Sequence, residues 1–259
     1  MKKNNLLALI ISAILILNCS DKTSTPTVPE EPNNSAEIAK LFPAEVGKSF
    51  VYNVDSYDKT NASYVNLGTR TMSIDRAEAD YYVCSEIYDY LQNANLLSKV
   101  KLSENTVEFY SDNEGASQLI PDSLAGQVQL ELDETFKVLQ LPLEANSTWD
   151  VYNGKAVFGT FKFNVFGLKA KYIGSESVVL GNASEAISAE RIEYTISINI
   201  PDMANLFANN LQTYSANVWF AEDFGVVKVE GCALFVNPIT GNNFDMSDSN
   251  KVIRHTLIP

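Results

Sequence analysis

The most reactive side chains of this 259-residue chain are three cysteines and one histidine. His255 lies near the end of the chain, so catalysis of the Ser–His–Asp or Cys–His type would have to recruit it from the last strand. We expect instead a partly exposed strand residue. Cys84 and Cys232 are an even pair, which predicts either a disulfide in an oxidising compartment or two buried thiols. No nucleophile is indicated beside a base, and we therefore expect no enzyme.

Signals for metals, nucleotides and sugars are weak. The sequence has no histidine cluster or CxxC pair for zinc and no glycine-rich nucleotide loop, so we expect no cofactor. Oxygen-rich side chains at 245–250 and 112–114 could hold calcium, but neither segment matches an EF-hand loop, and solvated turns are favoured. The Asp-Ser-Leu tripeptide at 122–124 is similar to an O-glycosylation acceptor of some envelope proteins. Trp149 and Trp219 are expected to pack in the core, with cavity lining as the alternative.

Cys19 follows a pattern that predicts lipid attachment. A short basic leader precedes an apolar run over 6–17, which has the length of a secretory signal core and is too short to cross a bilayer. The run ends at Ile16-Leu17-Asn18-Cys19, which resembles a bacterial lipobox. The resemblance implies cleavage before Cys19 and acylation of its thiol. The alternative is an uncleaved anchor, or an ordinary signal with a chance cysteine.

The composition after Cys19 predicts three segments. Residues 20–37 contain no aromatic residue and are rich in Pro, Ser, Thr and Asn, which is typical of a disordered tether. We therefore predict a signal peptide at 1–18, a tether at 19–37 and an all-β domain at 38–259. Ser20 beside the cysteine resembles the pattern sorted to an outer membrane. Whether the domain would face the periplasm or the cell surface stays open.

The charge of the chain excludes one class of partner. Removal of residues 1–18 takes away two lysines and no acid, which leaves 17 basic and 32 acidic residues and a formal charge of −15. Nucleic-acid binding depends on clustered Lys and Arg, so we expect no nucleic-acid partner. The expected partners are the membrane, through the lipid anchor, and either an apolar ligand or an envelope protein.

Alternating apolar and polar residues predict an antiparallel sheet. The pattern is clearest at 191–200, where every second residue is Ile or Tyr. Such alternation is typical of antiparallel strands with one wet face. Turn signals are expected at 111–115, 153–154, 181–182 and 240–243. Further strands are predicted at 48–54, 64–74, 81–90, 106–110, 127–132, 161–165, 168–173, 218–220, 226–235 and 252–257.

Helix is scarce, and two windows are alike. Short helices are predicted at 36–42 and 201–211. The windows 42–50 and 141–149 share an apolar residue, a proline and a glutamate, followed by a turn residue at Gly47 or Asn146 that suits a positive φ. Two related halves, at about 38–135 and 136–259, would explain the likeness. Coincidence is the equal alternative.

These two windows and a third segment carry a family resemblance. The segments read FPAEVGKSF (42–50), LPLEANSTW (141–149) and WFAEDFGVVK (219–228). They resemble the motifs of a family of uncharacterised bacterial envelope lipoproteins, although Phe50 replaces the usual Trp and Asn146 the usual Gly. The resemblance implies a strongly curved antiparallel sheet, similar to the half-barrels of lipoprotein carriers. It brings no catalytic residue with it.

The sequence thus predicts an all-β fold, either a curved antiparallel sheet (half-barrel or open barrel) with one or two short helices or a β-sandwich of two related halves. The leading functional hypothesis is a lipid-anchored protein that binds an apolar ligand or lipid on the concave face of the sheet. The alternative is a structural or protein-interaction lipoprotein whose sheet is filled by its own side chains. A bare sheet edge or an exposed patch would favour this alternative.

Overall fold

The computed structural model describes residues 33–91, 95–110, 126–199, 211–242 and 245–259. They belong to one compact unit from Asn33 to Pro259. Within these ranges thirteen strands form one antiparallel sheet, which confirms the all-β prediction; the strands of the two predicted halves do not form separate sheets. The strands are β1 (Ser49–Asp58), β2 (Ser63–Ala77), β3 (Tyr82–Tyr88), β4 (Asn95–Leu102), β5 (Thr106–Tyr110), β6 (Gln129–Leu132), β7 (Thr135–Gln140), β8 (Thr148–Phe158), β9 (Phe161–Val179), β10 (Ala186–Asn199), β11 (Leu211–Ala221), β12 (Gly225–Cys232) and β13 (Val252–Ile258).

The strand order follows the chain almost throughout. From edge to edge it is β6, β8, β9, β10, β11, β12, β13, β1, β2, β3, β4, β5 and β7. The first and last strands of the chain are therefore neighbours in the middle of the sheet, where Val54 of β1 pairs with His255 of β13. In the part of the chain that the structure describes, no ladder joins β6 to β7, so the sheet is open.

The alternation predicted for β10 produces its two faces. Ile192, Tyr194, Ile196 and Ile198 are at most 1% exposed, whereas the residues between them are half-buried. The inner face of the sheet is thus apolar, and the opposite, outer face carries the polar partners of each pair. Side chains alternate between the two faces along each strand, and residues paired across neighbouring strands lie on the same face. The buried residues of β10 therefore also identify the inner-face residues of the strands paired with it.

The described residues include two α-helices, α1 (Ser35–Leu41) and α2 (Ala233–Ile239), and a 3₁₀-helix at Met246–Asn250. The prediction at 36–42 is confirmed by α1. The helix predicted at 201–211 lies outside the described residues except for Leu211, which begins β11. Among the described residues, no helix is long and apolar enough to cross a bilayer.

Helix α2 corrects the strand predicted at 226–235, which ends at Cys232. Residues 233–236 are all buried, so the segment is apolar on every side. Such a continuous run does not distinguish a buried helix from a buried strand. The phenyl ring of Phe235 stacks on Tyr194 of β10 with 4.6 Å between ring centroids. At the other end of α2, Tyr88 Oη of β3 donates to the carbonyl of Thr240 at 2.7 Å. The helix therefore lies against the inner face, between β3 and β10.

The edge strand β7 contacts strands near the opposite edge. The indole Nε1 of Trp149 in β8 donates to Lys137 O at 2.9 Å, and Tyr194 Oη of β10 donates to Val138 O. The rings of Phe136 and Tyr152 stack with 4.1 Å between their centroids. Side chains and backbone of β7 thus join the core made by β8 and β10.

The two similar windows adopt the same turn. Gly47 has φ of +89° and Asn146 has φ of +66°, which confirms the expected positive values. Lys48 N donates to Glu45 O at 3.0 Å, and Ser147 N donates to Glu144 O at 2.9 Å. The turn predicted at 153–154 is wrong, because both residues lie inside β8. A Cβ at position 154 would come within 2.7 Å of Leu132 Cδ2, so this glycine permits close strand packing.

Candidate functional site

The inner face of the sheet, where an apolar ligand was expected, is occupied by the protein itself. Buried side chains from nearly every strand form one cluster with those of α1 and α2. An apolar cavity beside this cluster has a volume of about 30 Å³ and is lined by residues that include Phe42, Phe50, Met72 and Phe109. A space of that size holds one or two water molecules and no acyl chain.

A charged cluster lies within this apolar interior. The guanidinium of Arg70 in β2 donates to Glu86 in β3 through Nε at 2.8 Å and through Nη2 at 3.3 Å. Its third nitrogen, Nη1, lies 3.4 Å from Nδ1 of His255 in β13. The three residues are 3%, 0% and 1% exposed. Arg70 of β2 thus links the adjacent strand β3 to β13, which lies two strand positions from β2 on the other side.

Aromatic rings and the C-terminal end of α2 enclose the cluster. The guanidinium carbon of Arg70 lies 4.7 Å from the ring centroid of Tyr52, which is a cation–π contact. Tyr88 is held by Thr240, as described above. Gly241 has φ of +81°, and a Cβ there would come within 2.5 Å of Glu86 Cγ. The chain after α2 can therefore close over Glu86 only with glycine at this position.

The cluster has shifted pKa values that follow from its burial. Burial raises the pKa of Glu86, and the charge of Arg70 opposes this rise. Burial would lower the pKa of Arg70, but Glu86 and the neighbouring phenols raise it above the ordinary value. Burial, together with the charge of Arg70, lowers the pKa of His255 well below its ordinary value. The neutral imidazole can then accept from Arg70. These groups have almost no exposed surface, and their contacts link β2, β3 and β13.

The low pKa of His255 predicts a pH dependence of stability. In the unfolded chain the imidazole gains a proton as the pH falls below about 6.5, whereas the native imidazole stays neutral. The native state should therefore lose up to about 1.4 kcal/mol of unfolding free energy for each pH unit below 6.5 on account of this residue. We expect the variant His255→Asn, whose amide oxygen can accept from Arg70, to lack this part of the slope.

The measurement is urea unfolding between pH 7.5 and 5 for both proteins, followed by circular dichroism. The carboxylates are the same in the two proteins and contribute equally to both slopes, so the difference between the slopes reports on His255. Parallel slopes would mean that the pKa of His255 is the same in the native and unfolded states, and would contradict the buried neutral imidazole.

The structure corrects one sequence expectation here and adds two residues. His255 was expected to be partly exposed and is buried. Arg70 and Glu86 were not singled out from the sequence. Their positions did contain a signal, because Arg70 is in phase with Met72 and Ile74 on one face of its strand. A charged residue in phase with apolar ones indicates a buried charge that needs a partner.

The two cysteines of the folded unit are buried free thiols, so the disulfide alternative is not formed. The Sγ of Cys232 lies 3.4 Å from Ser249 O. Burial raises the pKa of the Cys84 thiol to about 12 and also raises the pKa of Cys232. Neither thiol is thus activated as a nucleophile. Cys19, the predicted lipidation site, lies outside the described residues.

The remaining candidates are distributed as follows. In the segment 245–250, Asp248 accepts from Lys251 Nζ at 2.6 Å and from Asn237 Nδ2 at 2.7 Å, so its oxygens already have partners. The segments 112–114 and 122–124 lie outside the described residues. The described part of the chain contains no group of three or more His, Cys, Asp or Glu side chains placed to hold a metal ion. Trp149 and Trp219 are 7% and 5% exposed, which confirms their expected burial.

The fold defines an all-β protein built on one open antiparallel sheet. No model of a known protein family matches the chain, and no curated protein matches it. The chain is similar in structure to a candidate exported protein with a YmcC-like fold from Bacteroides fragilis, at 11% identity and a TM-score of 0.42 over 84% of this chain and 97% of that one. A candidate lipoprotein from Parabacteroides distasonis is similar at 12% identity and a TM-score of 0.38, over 84% and 96% of the two chains. The hypothetical lipoprotein YmcC from Escherichia coli is similar at 10% identity and a TM-score of 0.33, over 87% and 88%. Likenesses this distant carry no argument about function.

Proposed function

We propose that this chain is a lipid-anchored, non-enzymatic protein of the bacterial cell envelope that acts through its outer surface. The observation that carries this proposal is the filled inner face of the sheet. Helix α2 occupies the place that an apolar ligand would need, and Phe235 of that helix is only 2% exposed. A protein that cannot enclose a ligand on its inner face must present its binding groups elsewhere. This favours the interaction-protein alternative over the enclosed apolar ligand.

The proposal includes a sheet that bends strongly, as the half-barrel prediction requires. Its support is the contact between β7 and β10, which are nine strand positions apart in the sheet order. Strands in a flat sheet are about 4.8 Å apart, so these two would then lie roughly 43 Å from each other. Bending of the sheet around α2 brings them together. The concave face is then the packed core, and the convex face meets the solvent.

The anchor is proposed from the sequence at Cys19. Acyl chains contribute about 0.8 kcal/mol for each buried methylene, so two or more of them hold a protein on a bilayer almost permanently. Ser20 supports the outer membrane as the destination, on the resemblance given above.

Native mass spectrometry of the full-length protein from the membrane fraction tests both parts of the proposal. We expect the mass of the chain from Cys19 with covalently bound acyl chains and no additional lipid that dissociates on activation. The variant Cys19→Ala should lose the covalent mass and leave the membrane fraction. A lipid without a sugar headgroup that co-purifies with this variant would contradict the filled interior. An unmodified Cys19 in the wild-type protein would contradict the anchor.

A further inference from the structure

A cleft lies on the outer face of the sheet, under the tip of the β9–β10 hairpin. Pairing of β9 with β10 shifts register between Arg191 and Ile192, and the hairpin continues beyond this bulge. Its tip reaches β13, where Gly181 N donates to Leu257 O at 2.8 Å. Val178 and Leu180 of the tip are 6% and 4% exposed. The tip is therefore packed onto the sheet, and the space beneath it measures about 540 Å³, within the range of ligand sites.

The floor of this outer cleft consists of two neighbouring rows of cross-strand partners. In the first row, Trp219 of β11 pairs with Lys228 of β12, Lys228 with Thr256 of β13, and Thr256 with Asn53 of β1. In the second row, Arg254 of β13 pairs with Asp55 of β1, and Asp55 with Asn66 of β2. Each row is in phase with the outer face. Residues 176–181 of the hairpin tip form the roof.

The charges that line the outer cleft neutralise one another. Arg254 binds Asp55 with 2.7 Å between Nη2 and Oδ2. Lys228 lies 4.4 Å from the ring centroid of Trp219 and forms an ion pair with Glu230 at 2.6 Å. Glu176 accepts from Trp219 Nε1 and forms an ion pair with Arg191 at 3.4 Å. The lining thus contains two acids and two bases, each already paired. A phosphate or a carboxylate needs unpaired cations, and a metal ion needs unpaired carboxylates.

Uncharged polar side chains remain available to a ligand. Within the described residues, the side chains of Asn53, Thr256 and Ser177 have no hydrogen-bond partner, and all three line the outer cleft. Asn66 holds its place by donating to Val54 O at 3.2 Å. Amides and hydroxyls can each donate and accept, which suits a ligand that carries many hydroxyl groups. The exposed side chain of Val179 supplies apolar surface for C–H groups, and Trp219, which is 5% exposed, adds only a small part of its indole.

A peptide is a poorer fit, because the floor belongs to interior strands. β12, β13 and β1 each pair with strands on both sides, so their backbone groups are used in the sheet. An extended peptide would have no strand edge to bind. Recognition in the outer cleft must therefore go through side chains. Their chemistry is polar, uncharged overall and bordered by apolar surface.

We propose that the outer cleft binds a short neutral oligosaccharide, held by Asn53, Thr256 and Ser177 against Trp219. This inference rests on the proposed function, since it names the ligand class of a protein that acts through its outer surface. Sugar hydroxyls take the free donors and acceptors, and the C–H faces of the rings pack on Val179 and on the small exposed part of the indole.

The test uses the full-length protein in a detergent that has no sugar headgroup. The chain contains two tryptophans, so the background variant Trp149→Phe leaves Trp219 as the fluorescent reporter in the cleft. Maltotriose, cellotriose and chitotriose serve as neutral probes, with trigalacturonic acid and inorganic phosphate as anionic ones. We expect a saturable change of emission with at least one neutral probe at or below about 10 mM, the weak end of specific binding. Calorimetry on the unsubstituted protein should give the same dissociation constant.

Two matched variants locate the site. Thr256→Phe places a bulky ring in the centre of the floor and should weaken binding by about tenfold or more. Thr71→Phe makes the same change on the outer face of β2, outside the cleft, and should leave binding unchanged. Equal binding by Thr256→Phe, tighter binding of the anionic probes, or no saturable response to any neutral probe would each overturn the proposal.

Two further measurements separate the possible sources of the sugar, and separate a failure of this proposal from a failure of the proposed function. Phosphatidylcholine vesicles with and without a neutral diglycosyl lipid distinguish a lipid headgroup from a free oligosaccharide, and binding of either one supports the site. A failure of saccharide binding leaves the mass-spectrometric result on the filled interior intact. Lipid found in the interior would overturn the proposed function, and the fluorescence of Trp219 would still report on the cleft.

Discussion

Replacement of Arg70 with methionine is expected to lower the free energy of unfolding by about 3–5 kcal/mol, because it leaves Glu86 as an unpaired buried charge. Methionine fills a similar volume, so the loss comes from the missing charge and its hydrogen bonds. The carboxylate it leaves behind is 0% exposed and has no other cation within the cluster. Urea unfolding of Arg70→Met beside the parent protein measures the difference.

The same strand offers a matched control for this prediction. Arg76 of β2 forms an ion pair with Glu78 at 2.9 Å, but the two side chains are 58% and 36% exposed. Since water screens an exposed pair, Arg76→Met should change the stability little. The double variant Arg70→Met/Glu86→Leu should recover most of the loss, because no buried charge remains. If the two arginine variants lose equal stability, Arg70 does not form the buried pair described above.

The predicted sheet follows from periodicity where a strand has one dry face. In β10 the alternation of Ile and Tyr with polar residues gives both the strand and its orientation. β4, β7 and β8 are missing from the predicted strands, and in β7 and β8 the apolar residues do not alternate cleanly. β7, for example, contains the adjacent buried pair Val138 and Leu139 next to a register shift. The two strands predicted at 161–165 and 168–173 are one strand, β9, since Gly167 interrupts the apolar pattern and not the ladder.

The sites were less predictable than the strands because they depend on pairing across the whole chain. Arg70 and His255 are separated by 185 positions in sequence and meet only because β1 lies between β13 and β2. The outer cleft combines β1, β11, β12 and β13 with a hairpin that bends over them. Trp219 and Lys228 begin and end one segment that carried the family resemblance, yet the sequence does not indicate that they are direct partners. Local patterns give the phase of each strand, whereas a site also requires the register between distant strands.

The two similar windows show how far a local signal can reach. Their identical turns lead into β1 and β8, and the same hydrogen bond follows each turn: Ile74 N donates to Lys48 O at 2.9 Å and Tyr172 N donates to Ser147 O at 3.0 Å. The two windows are therefore similar in sequence, in the conformation of the turn and in the hydrogen bond that joins the turn to a neighbouring strand. The division into halves at 38–135 and 136–259 stays a prediction.

Removal of the phenyl ring of Phe235 is expected to have an effect as large as the loss of Arg70. Phe235→Ala should lower the free energy of unfolding by about 3–5 kcal/mol, because α2 loses its stacking contact with Tyr194 and leaves a cavity in the core. Phe224→Ala is the control, since Phe224 lies in the turn between β11 and β12 and is 37% exposed. Thermal unfolding should separate the two variants clearly.

The variant Phe235→Ala also tests whether α2 is what keeps apolar ligands from the inner face of the sheet. An apolar cavity of the size of a phenyl ring stays dry and binds small apolar molecules such as benzene. Benzene should therefore raise the melting temperature of Phe235→Ala and leave the parent protein and Phe224→Ala unchanged, because a ligand stabilises only a state that binds it. If benzene stabilises the parent protein equally, the interior already has room for an apolar guest. In that case the filling of the sheet by α2 could not be the reason that binding is assigned to the outer surface.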